Sequence, residues 1–239
     1  WMNIMKAESP GPSVSRLVPK VRTTAKILYS IYIGMTIIQV VLLVLGKMSL
    51  FDALTLTFGT AGTGGFGIRN DSVGSFSSYH QIVTTIFMIL FGINFNAYYF
   101  ILLGKAKAAF KIEEVRGYLA IIGVATLAIA VNIYHMYGSL AETLRHAAFQ
   151  VASIITTTGY TTTDFNQWPE VSRTILVILM FIGACAGSTG GGIKVSRILI
   201  LLKTVKKEIG QYLHPKNVKK IKMDGKSIEH EVVRSTNVF

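Results

Sequence analysis

The sequence predicts an all-α membrane protein made of two tandem repeats, each with a helical span, a loop that re-enters the membrane, and a second span. Three observations lead to this prediction: the composition, four long apolar segments, and landmarks that recur at a nearly constant spacing. Of the 239 residues, 51% are hydrophobic and only 15% are charged. Soluble domains carry about 25% charged residues, so this deficit indicates that a lipid bilayer surrounds the protein.

Four apolar segments are long enough to be membrane spans, because a helix needs about 20 residues to cross the hydrocarbon core. They lie at 27–46, 81–103, 118–134 and 174–202. The last segment contains the stretch GSTGGGIK. Each glycine costs about 1 kcal/mol in a helix interior, so we expect the last helix to be broken there.

The basic residues predict the orientation of the chain. If the N-terminus is cytoplasmic, 18 Lys and Arg residues lie inside and four lie outside, in agreement with the positive-inside rule. The C-terminal tail is then cytoplasmic as well. The net charge of +12 does not predict a nucleic-acid partner, because the basic residues lie in blocks between apolar runs and not on one soluble face.

Landmarks in the two halves of the chain recur at offsets of 90 to 94 residues, which indicates an internal duplication. Ser49 and Ser139 open the two outer connections, and Gly65 and Gly159 lie near their ends. The second connection is longer by about one helical turn. The predicted units are a cytoplasmic lead-in at 1–26, a pore repeat at 27–112, a second pore repeat with a broken last helix at 113–213, and a cytoplasmic tail or linker at 214–239.

Each outer connection ends in a loop rich in threonine and glycine that is followed by an aromatic residue, GTAGTGGFG or ITTTGYTTTD. Non-helical backbone at membrane depth is tolerated where protein buries it or where it lines a water-filled path. Carbonyl oxygens of such a loop can replace the hydration shell of a potassium ion, as in potassium-channel filters. Glycine allows the positive φ angles that such a loop needs. The predicted ion-facing carbonyls belong to Thr63, Gly64, Gly65, Thr157, Thr158 and Gly159, with Phe66 and Tyr160 packed behind them.

The alternative interpretation is that these segments are ordinary outer loops in which threonine and glycine turn the chain. Their recurrence at the same place in both repeats favours a filter. One filter needs a ring of about four such loops, so either two chains pair or the intact protein contains more repeats.

The glycine-rich stretch of the last span is predicted to be a gating loop. Its unwound backbone would lie across the permeation path on the cytoplasmic side of the filter, and Lys194 would face water or a partner there and repel cations. The predicted gating residues are Gly187, Ser188, Thr189, Gly190, Gly191, Gly192 and Lys194. A phosphate-binding loop is disfavoured because Ile193 separates the lysine from the last glycine. Close helix packing through small residues remains an alternative.

The stretch GACAGSTGGGIKVSRI at 183–198 resembles the signature of TrkH-type potassium-uptake membrane subunits, of the TrkH/Ktr/HKT superfamily. The two threonine- and glycine-rich loops resemble the filter loops of that family, and HPKNVKKIKM resembles its cytoplasmic link to the next repeat. In that family four helix–pore loop–helix repeats of potassium-channel type surround one pore, and this chain is similar to the second and third. The resemblance implies a homodimer in a bacterial-type plasma membrane, with a cytosolic nucleotide-binding regulatory ring of the TrkA type.

Together these observations predict potassium uptake through a filter of backbone carbonyls that is gated by the glycine-rich loop. Potassium would be the substrate, no cofactor is expected, and no catalytic constellation predicts an enzyme. One alternative is a cation-coupled secondary transporter, a sodium or proton symporter with discontinuous helices. Such carriers often place ionisable residues at the binding site, and the spans outside the glycine break have none. Another alternative is a membrane scaffold without ion flux.

Overall fold

The computed structural model describes residues 21–213 and 221–228, together with the isolated positions 233 and 236, and the regular secondary structure of this part is almost entirely helical. Most of the predicted lead-in at 1–26 and of the predicted tail at 214–239 lies outside the described residues. The helices are α1 (Val21–Leu45), α2 (Leu50–Ala61), α3 (Ser78–Phe91), α4 (Phe95–Leu102), α5 (Ala106–Lys111), α6 (Glu113–Ile133), α7 (Leu140–Ile155), α8 (Glu170–Ile182) and α9 (Val195–Leu213). Two 3₁₀ turns (Tyr134–Met136, Phe165–Gln167) and one antiparallel hairpin of β1 (Lys222–Met223) and β2 (Lys226–Ser227) complete it. The prediction of an all-α membrane fold is confirmed.

The two repeats place the same elements in the same order. A span (α1 or α6) leads to a half-helix (α2 or α7), a loop and a returning span (α3–α4 or α8–α9). Each half-helix begins with a serine cap, since Ser49 Oγ accepts from the Asp52 amide at 3.1 Å and Ser139 Oγ from the Glu142 amide at 3.2 Å. The half-helices have 12 and 16 residues, so the second is about one turn longer, as the sequence offsets predict.

The returning span of the first repeat, predicted at 81–103, is not continuous, although the sequence analysis expected a break only in the last span. Helices α3 and α4 meet at an angle of 94°. Gly92 caps the end of α3, and Asn94 starts α4 because its side-chain Oδ1 accepts from the Asn96 amide at 2.9 Å.

The break in the returning span of the second repeat is confirmed. Helix α8 ends at Ile182, and α9 begins only at Val195. Gly183, which caps α8 with a φ of 74°, lies 91 residues after Gly92. Both repeats therefore interrupt their returning span at the equivalent position.

The outer surface of the helices suits a membrane. Two helical segments, Thr23–Leu45 and Glu113–Met136, are long and apolar enough to cross it, and the bent pair α3–α4 would be a third. Large apolar side chains on these spans are exposed, among them Ile33, Ile37, Val124, Leu127 and Val131. A continuous apolar face of this kind is typical of contact with lipid.

The second half-helix joins the two repeats. One apolar cluster surrounds α6, α7 and α8, and another surrounds α1, α2 and α3. Phe149 and Ala152 of α7 belong to the cluster of the first repeat. This packing brings the loops that follow α2 and α7 side by side.

Candidate functional site

The two threonine- and glycine-rich loops make the same backbone hydrogen bonds. In the first loop the Gly64 amide donates to the Gly59 carbonyl at 2.9 Å, and in the second the Thr158 amide donates to the Ser153 carbonyl at 2.9 Å. Donors and acceptors are both offset by 94 residues. The amides thus turn back onto the half-helix in each repeat, and the carbonyl oxygens stay available.

Both loops also contain left-handed backbone at equivalent positions. The φ angles are 49° at Thr63 and 58° at Thr157, and 66° at Gly65 and 89° at Gly159. A threonine in this region costs about 1–3 kcal/mol and persists only where its surroundings impose it. The same unfavourable conformation therefore occurs twice, in the loops for which the sequence predicts a binding role.

The six predicted filter carbonyls accept no hydrogen bond from any residue within 21–213 and 221–228. These are the carbonyls of Thr63, Gly64, Gly65, Thr157, Thr158 and Gly159. Of these six residues only Thr158 is buried within the described chain, so most of the carbonyls are open to a partner outside it. A row of unpaired carbonyls among membrane helices needs water or an ion as its partner.

The two loops contact each other directly. A Cβ atom added to Gly65 would collide with the Thr158 carbonyl, so the loops meet at the predicted filter residues. Beyond this contact, the Val73 amide donates to the Thr161 carbonyl at 3.0 Å. The structure therefore brings all six predicted filter residues to one place.

The aromatic residues that follow the loops differ in their surroundings. Tyr160 is fully buried, and its hydroxyl lies 3.3 Å from the carbonyl oxygens of Leu56 and Phe66. It packs beside Gly59 of the neighbouring half-helix, where a Cβ atom would collide with the hydroxyl. Phe66 is 81% exposed within this chain, so its packing behind the loop stays a prediction. Among the described residues, no further half-helix stands beside Phe66 as α2 stands beside Tyr160.

Both half-helices end at the loops. The cap of α2 is Gly62, and the cap of α7 is Thr156. The C-terminal end of a helix carries about half a negative charge. The two helix ends and the neutral carbonyls together favour a cation without any acidic side chain.

The glycine-rich segment between α8 and α9 contacts both loops where they leave their half-helices. Thr63 Oγ1 lies 3.0 Å from the Thr189 carbonyl oxygen. In the second loop, Thr157 Oγ1 accepts from the Gly191 amide at 2.7 Å. The predicted gating residues are thus adjacent to the predicted filter in space.

The segment is closed by its own hydrogen bonds. The Ala184 amide donates to the Gly191 carbonyl at 3.2 Å, and Ser188 Oγ donates to the Cys185 carbonyl at 2.7 Å. The Lys194 ammonium is half-buried and donates to the Gly190 carbonyl. The charge of Lys194 is therefore held by the loop backbone itself, whereas the sequence led us to expect it to face water or a partner.

The break in the first returning span is hydrogen-bonded to the same segment. The Cys185 amide donates to the Gly92 carbonyl at 3.1 Å, and the Phe95 amide donates to the Gly187 carbonyl at 3.0 Å. Sequence reasoning missed this contact. The signal was present, because Gly92 precedes Gly183 by 91 residues, within the range of the other offsets.

Sequence reasoning also missed a buried acidic residue at the glycine-rich segment. Glu114, in the first turn of α6, is only 4% exposed. Its Oε1 accepts from the Ala186 amide at 2.6 Å and from the Ser196 amide at 3.2 Å. Its Oε2 accepts from Asn94 Nδ2 at 3.4 Å.

Each repeat has a half-helix, a loop with unpaired carbonyls and an interrupted returning span, and the two loops meet. This arrangement defines the tandem helix–pore loop–helix fold of potassium-channel type. Comparison with known proteins gives the family. A family model described as a cation transport protein, TrkH, matches residues 3–127 and 118–239. The chain belongs to the TrkH family.

Individual relatives agree with this assignment. The chain is 36% identical to the Trk system potassium uptake protein TrkH of Vibrio parahaemolyticus, over 97% of this chain and 49% of that protein. It is 34% identical to TrkH of Salmonella typhimurium, over 98% of this chain and 50% of that protein. The crystal structure of the potassium transporter TrkH from Vibrio parahaemolyticus matches with a TM-score of 0.87 and 34% identity, over 94% of this chain and 49% of that chain. The chain spans about half the length of these relatives.

Proposed function

We propose that this chain supplies two pore-lining repeats of a potassium-uptake protein. A dehydrated potassium ion would pass the carbonyl oxygens of Thr63, Gly64 and Gly65 on one side and of Thr157, Thr158 and Gly159 on the other. The observation that carries this proposal is the pair of loops with the same hydrogen bonds and the same positive φ angles, which meet with their carbonyls unpaired. Potassium is large and weakly hydrated, so neutral carbonyl dipoles suffice to replace its water.

The relatives support potassium as the substrate, since they are named potassium uptake proteins. A complete filter needs about four loops, and this chain contributes two. Because the chain spans about half the length of its relatives, we propose that the remaining loops belong to other parts of the protein. An inside-negative membrane potential would favour entry by about 2.3 kcal/mol per charge per 100 mV.

The glycine-rich segment is proposed to be the gate of this pore. It comprises Gly187, Ser188, Thr189, Gly190, Gly191, Gly192 and Lys194. Its hydrogen bonds to Thr63 and Thr157 support this role, because they hold it against both filter loops at once. The Lys194 charge, bound within the loop, would oppose the passage of cations.

The assembly that we propose follows the family. The protein would be a homodimer in a bacterial-type plasma membrane, with the N-terminus and the tail of this chain in the cytoplasm, where a TrkA-type nucleotide-binding ring would control the gate. The proposed units are 1–26, 27–112, 113–213 and 214–239. No cofactor and no enzymatic step is part of the proposal.

Tracer flux tests both the pore and the gate. The full-length protein, reconstituted in liposomes with a negative interior potential, should take up rubidium as a potassium substitute and should restore growth of potassium-starved cells. Deletion of 190–192 should raise the tracer flux. Absence of uptake would contradict the pore, whereas uptake that the deletion leaves unchanged would contradict only the gate.

A cation-coupled symporter is the second candidate, and one observation favours it. Both returning spans are interrupted, at Gly92–Asn94 and between Ile182 and Val195, and discontinuous helices are typical of secondary transporters. The two candidates differ in their response to gradients. Uptake that requires an inward sodium or proton gradient would support the symporter, and uptake driven by potential alone supports the pore.

A further inference from the structure

Glu114 lies where one side chain can hold both ends of the glycine-rich segment. The Ala186 amide lies at the start of this segment, and the Ser196 amide belongs to the first turn of α9, just after its end. Both donate to the same oxygen, Glu114 Oε1, at 2.6 and 3.2 Å. A single acceptor atom therefore connects Ala186 and Ser196, which flank the non-helical backbone between α8 and α9.

The second oxygen of Glu114 extends this connection to the first repeat. Oε2 accepts from Asn94 Nδ2, and Asn94 is the residue that starts α4 after the break in the first returning span. The same carboxyl group thus contacts both interrupted spans. It is covered by protein, since the residue is 4% exposed.

The physical need for this group follows from the break itself. The first amides of a helix have no carbonyl partner within the helix, and the Ser196 amide is one of these in α9. Negative groups are favourable at a helix N-terminus, and a buried amide without an acceptor destabilises the fold. Glu114 supplies from α6 the acceptor that a local cap would otherwise provide.

A movement of the glycine-rich segment away from the filter loops changes the separation between Ala186, Ser196 and α6. The bonds to Glu114 must then break, and two amides lose their acceptor together. The carboxyl group therefore makes displacement of the segment energetically unfavourable. The hydrogen bonds of Glu114 reach Asn94, Ala186 and Ser196 and none of the six predicted filter residues, so we expect it to act on ions through the segment.

We propose that Glu114 is a positioning residue that latches the glycine-rich segment in its obstructing position. This proposal rests on the proposed function for its effect on ion flux. The exposure of the segment can be measured without any ion. Failure of the latch can therefore be distinguished from failure of the proposed function.

The first experiment measures the exposure of the segment. A reporter cysteine is introduced by Ser188→Cys in a Cys185→Ser background of the full-length protein, with any cysteine outside this chain replaced by serine. Ser188 is half-buried and belongs to the segment. Glu114→Ala should increase the rate at which a water-soluble thiol reagent labels this cysteine by about tenfold or more, because the Ala186 and Ser196 amides lose the acceptor that they share.

The matched control is the neighbouring residue of the same helical turn. The Glu113 carboxylate pairs with Lys203 and has no contact with the glycine-rich segment. Glu113→Ala should leave the labelling rate unchanged. A symmetrical gel-filtration peak establishes that Glu114→Ala is folded. If this folded variant is labelled at the wild-type rate, the latch is overturned.

A milder variant decides the question if Glu114→Ala does not fold. Glu114→Gln weakens both parts of the latch: a neutral amide oxygen is a weaker acceptor for the Ala186 and Ser196 amides than a carboxylate oxygen, and the new NH₂ group faces Asn94 Nδ2, donor against donor. Asn94 cannot simply rotate its amide, because its Oδ1 already accepts from the Asn96 amide. Labelling faster than in the wild type supports the latch, and the wild-type rate overturns it.

The second experiment separates a latch from a general structural role. Tracer flux is measured for Glu114→Ala (or Glu114→Gln), for the deletion of 190–192, and for both changes together. If Glu114 acts through the segment, its substitution raises flux severalfold in the intact protein and has no further effect after the deletion. Additive effects would overturn the proposal. A deletion without effect on flux would contradict the gate, and the labelling rates alone would then decide on the latch.

Discussion

The backbone amide of Gly191 donates to the side-chain hydroxyl of Thr157 at 2.7 Å, and that hydroxyl lies 2.6 Å from the Thr156 carbonyl oxygen. A residue of the proposed gate is therefore bonded to a residue of the proposed filter with nothing between them. Any displacement of the gate must break this bond. Because Thr157 has a positive φ, the bond also supports an unfavourable backbone conformation of the filter loop.

Substitution Thr157→Val should weaken the closed gate. Valine has nearly the same shape as threonine but cannot accept from the Gly191 amide, and one net hydrogen bond is worth about 1 kcal/mol. Basal tracer flux should rise by roughly fivefold. The measurement is rubidium uptake by the reconstituted full-length protein.

Two variants serve as controls for this prediction. Thr157→Ser keeps the hydroxyl and should keep the wild-type flux. Thr161→Val changes a threonine of the same loop whose hydroxyl makes no hydrogen bond within the described residues. If Thr157→Val has the flux of these controls, the bond to Gly191 does not hold the gate.

The spans, the duplication and the two loops could be predicted because their signals are local in the sequence. Apolar length predicts the spans, and the constant offset between Gly65 and Gly159 predicts two equivalent loops. The break after α3 has a weak local signal, and only the offset of 91 residues between Gly92 and Gly183 indicates it. Gly92 is a single glycine in an apolar run, and its cost of about 1 kcal/mol is too small to predict a break.

The contacts of Glu114 were not predictable from local sequence. Its amide partners lie 72 and 82 residues further along the chain. They need an external acceptor only because the glycine-rich segment leaves the helix and folds back toward α6. The packing of Phe66 stays a prediction, because among the described residues no second half-helix lies beside it as α2 lies beside Tyr160.

Gly65 and Gly159, the two glycines of the proposed filter, should respond differently to substitution by alanine. A Cβ atom at Gly65 would collide with the Thr158 carbonyl, whereas at Gly159 it would meet no atom of the described chain within 4 Å. Both positions have positive φ, which costs a residue with a side chain about 1–2 kcal/mol. Gly65→Ala should therefore abolish tracer uptake, because it displaces a proposed ion-binding oxygen of the opposite loop.

Gly159→Ala and Gly159→Ser should retain uptake but admit more sodium, because the backbone strain relaxes the carbonyl positions without a direct collision. Competition between sodium and rubidium in the same liposomes measures this change. Comparable expression and gel-filtration profiles for the three variants establish that they fold. If neither Gly159 variant changes the competition between sodium and rubidium, the proposed filter role of Gly159 is contradicted.

The hydroxyl of Tyr160 should contribute to the selectivity of the pore. It lies 3.3 Å from the carbonyl oxygens of Leu56 in α2 and Phe66 in the first loop. Tyr160→Phe removes this connection at a cost of about 1 kcal/mol and leaves the ring packed. The ratio of sodium to rubidium uptake should rise by a few fold. Tyr134→Phe is the control, because Tyr134 is 55% exposed; equal ratios in the two variants would contradict the role of Tyr160.

A hydrogen bond between the spans of the second repeat should affect stability and not transport. Ser172 Oγ in α8 donates to Asn132 Oδ1 in α6 at 2.7 Å, and Ser172 is fully buried. Polar contacts between membrane helices contribute about 0.6 kcal/mol on average and up to about 1.7 kcal/mol. Ser172→Ala should therefore lower the thermal unfolding temperature of the protein in detergent by a few degrees.

Flux per folded molecule should be unchanged in Ser172→Ala, since this hydrogen bond joins α6 to α8 and involves neither of the two proposed filter loops. A double-mutant cycle with Asn132→Ala isolates the bond, because the two substitutions should be less destabilising together than the sum of the single effects. Strict additivity would show that the two side chains do not interact. The ratio of sodium to rubidium uptake should also stay unchanged in both single variants. A changed ratio would mean that this contact between helices influences the proposed filter, contrary to the prediction.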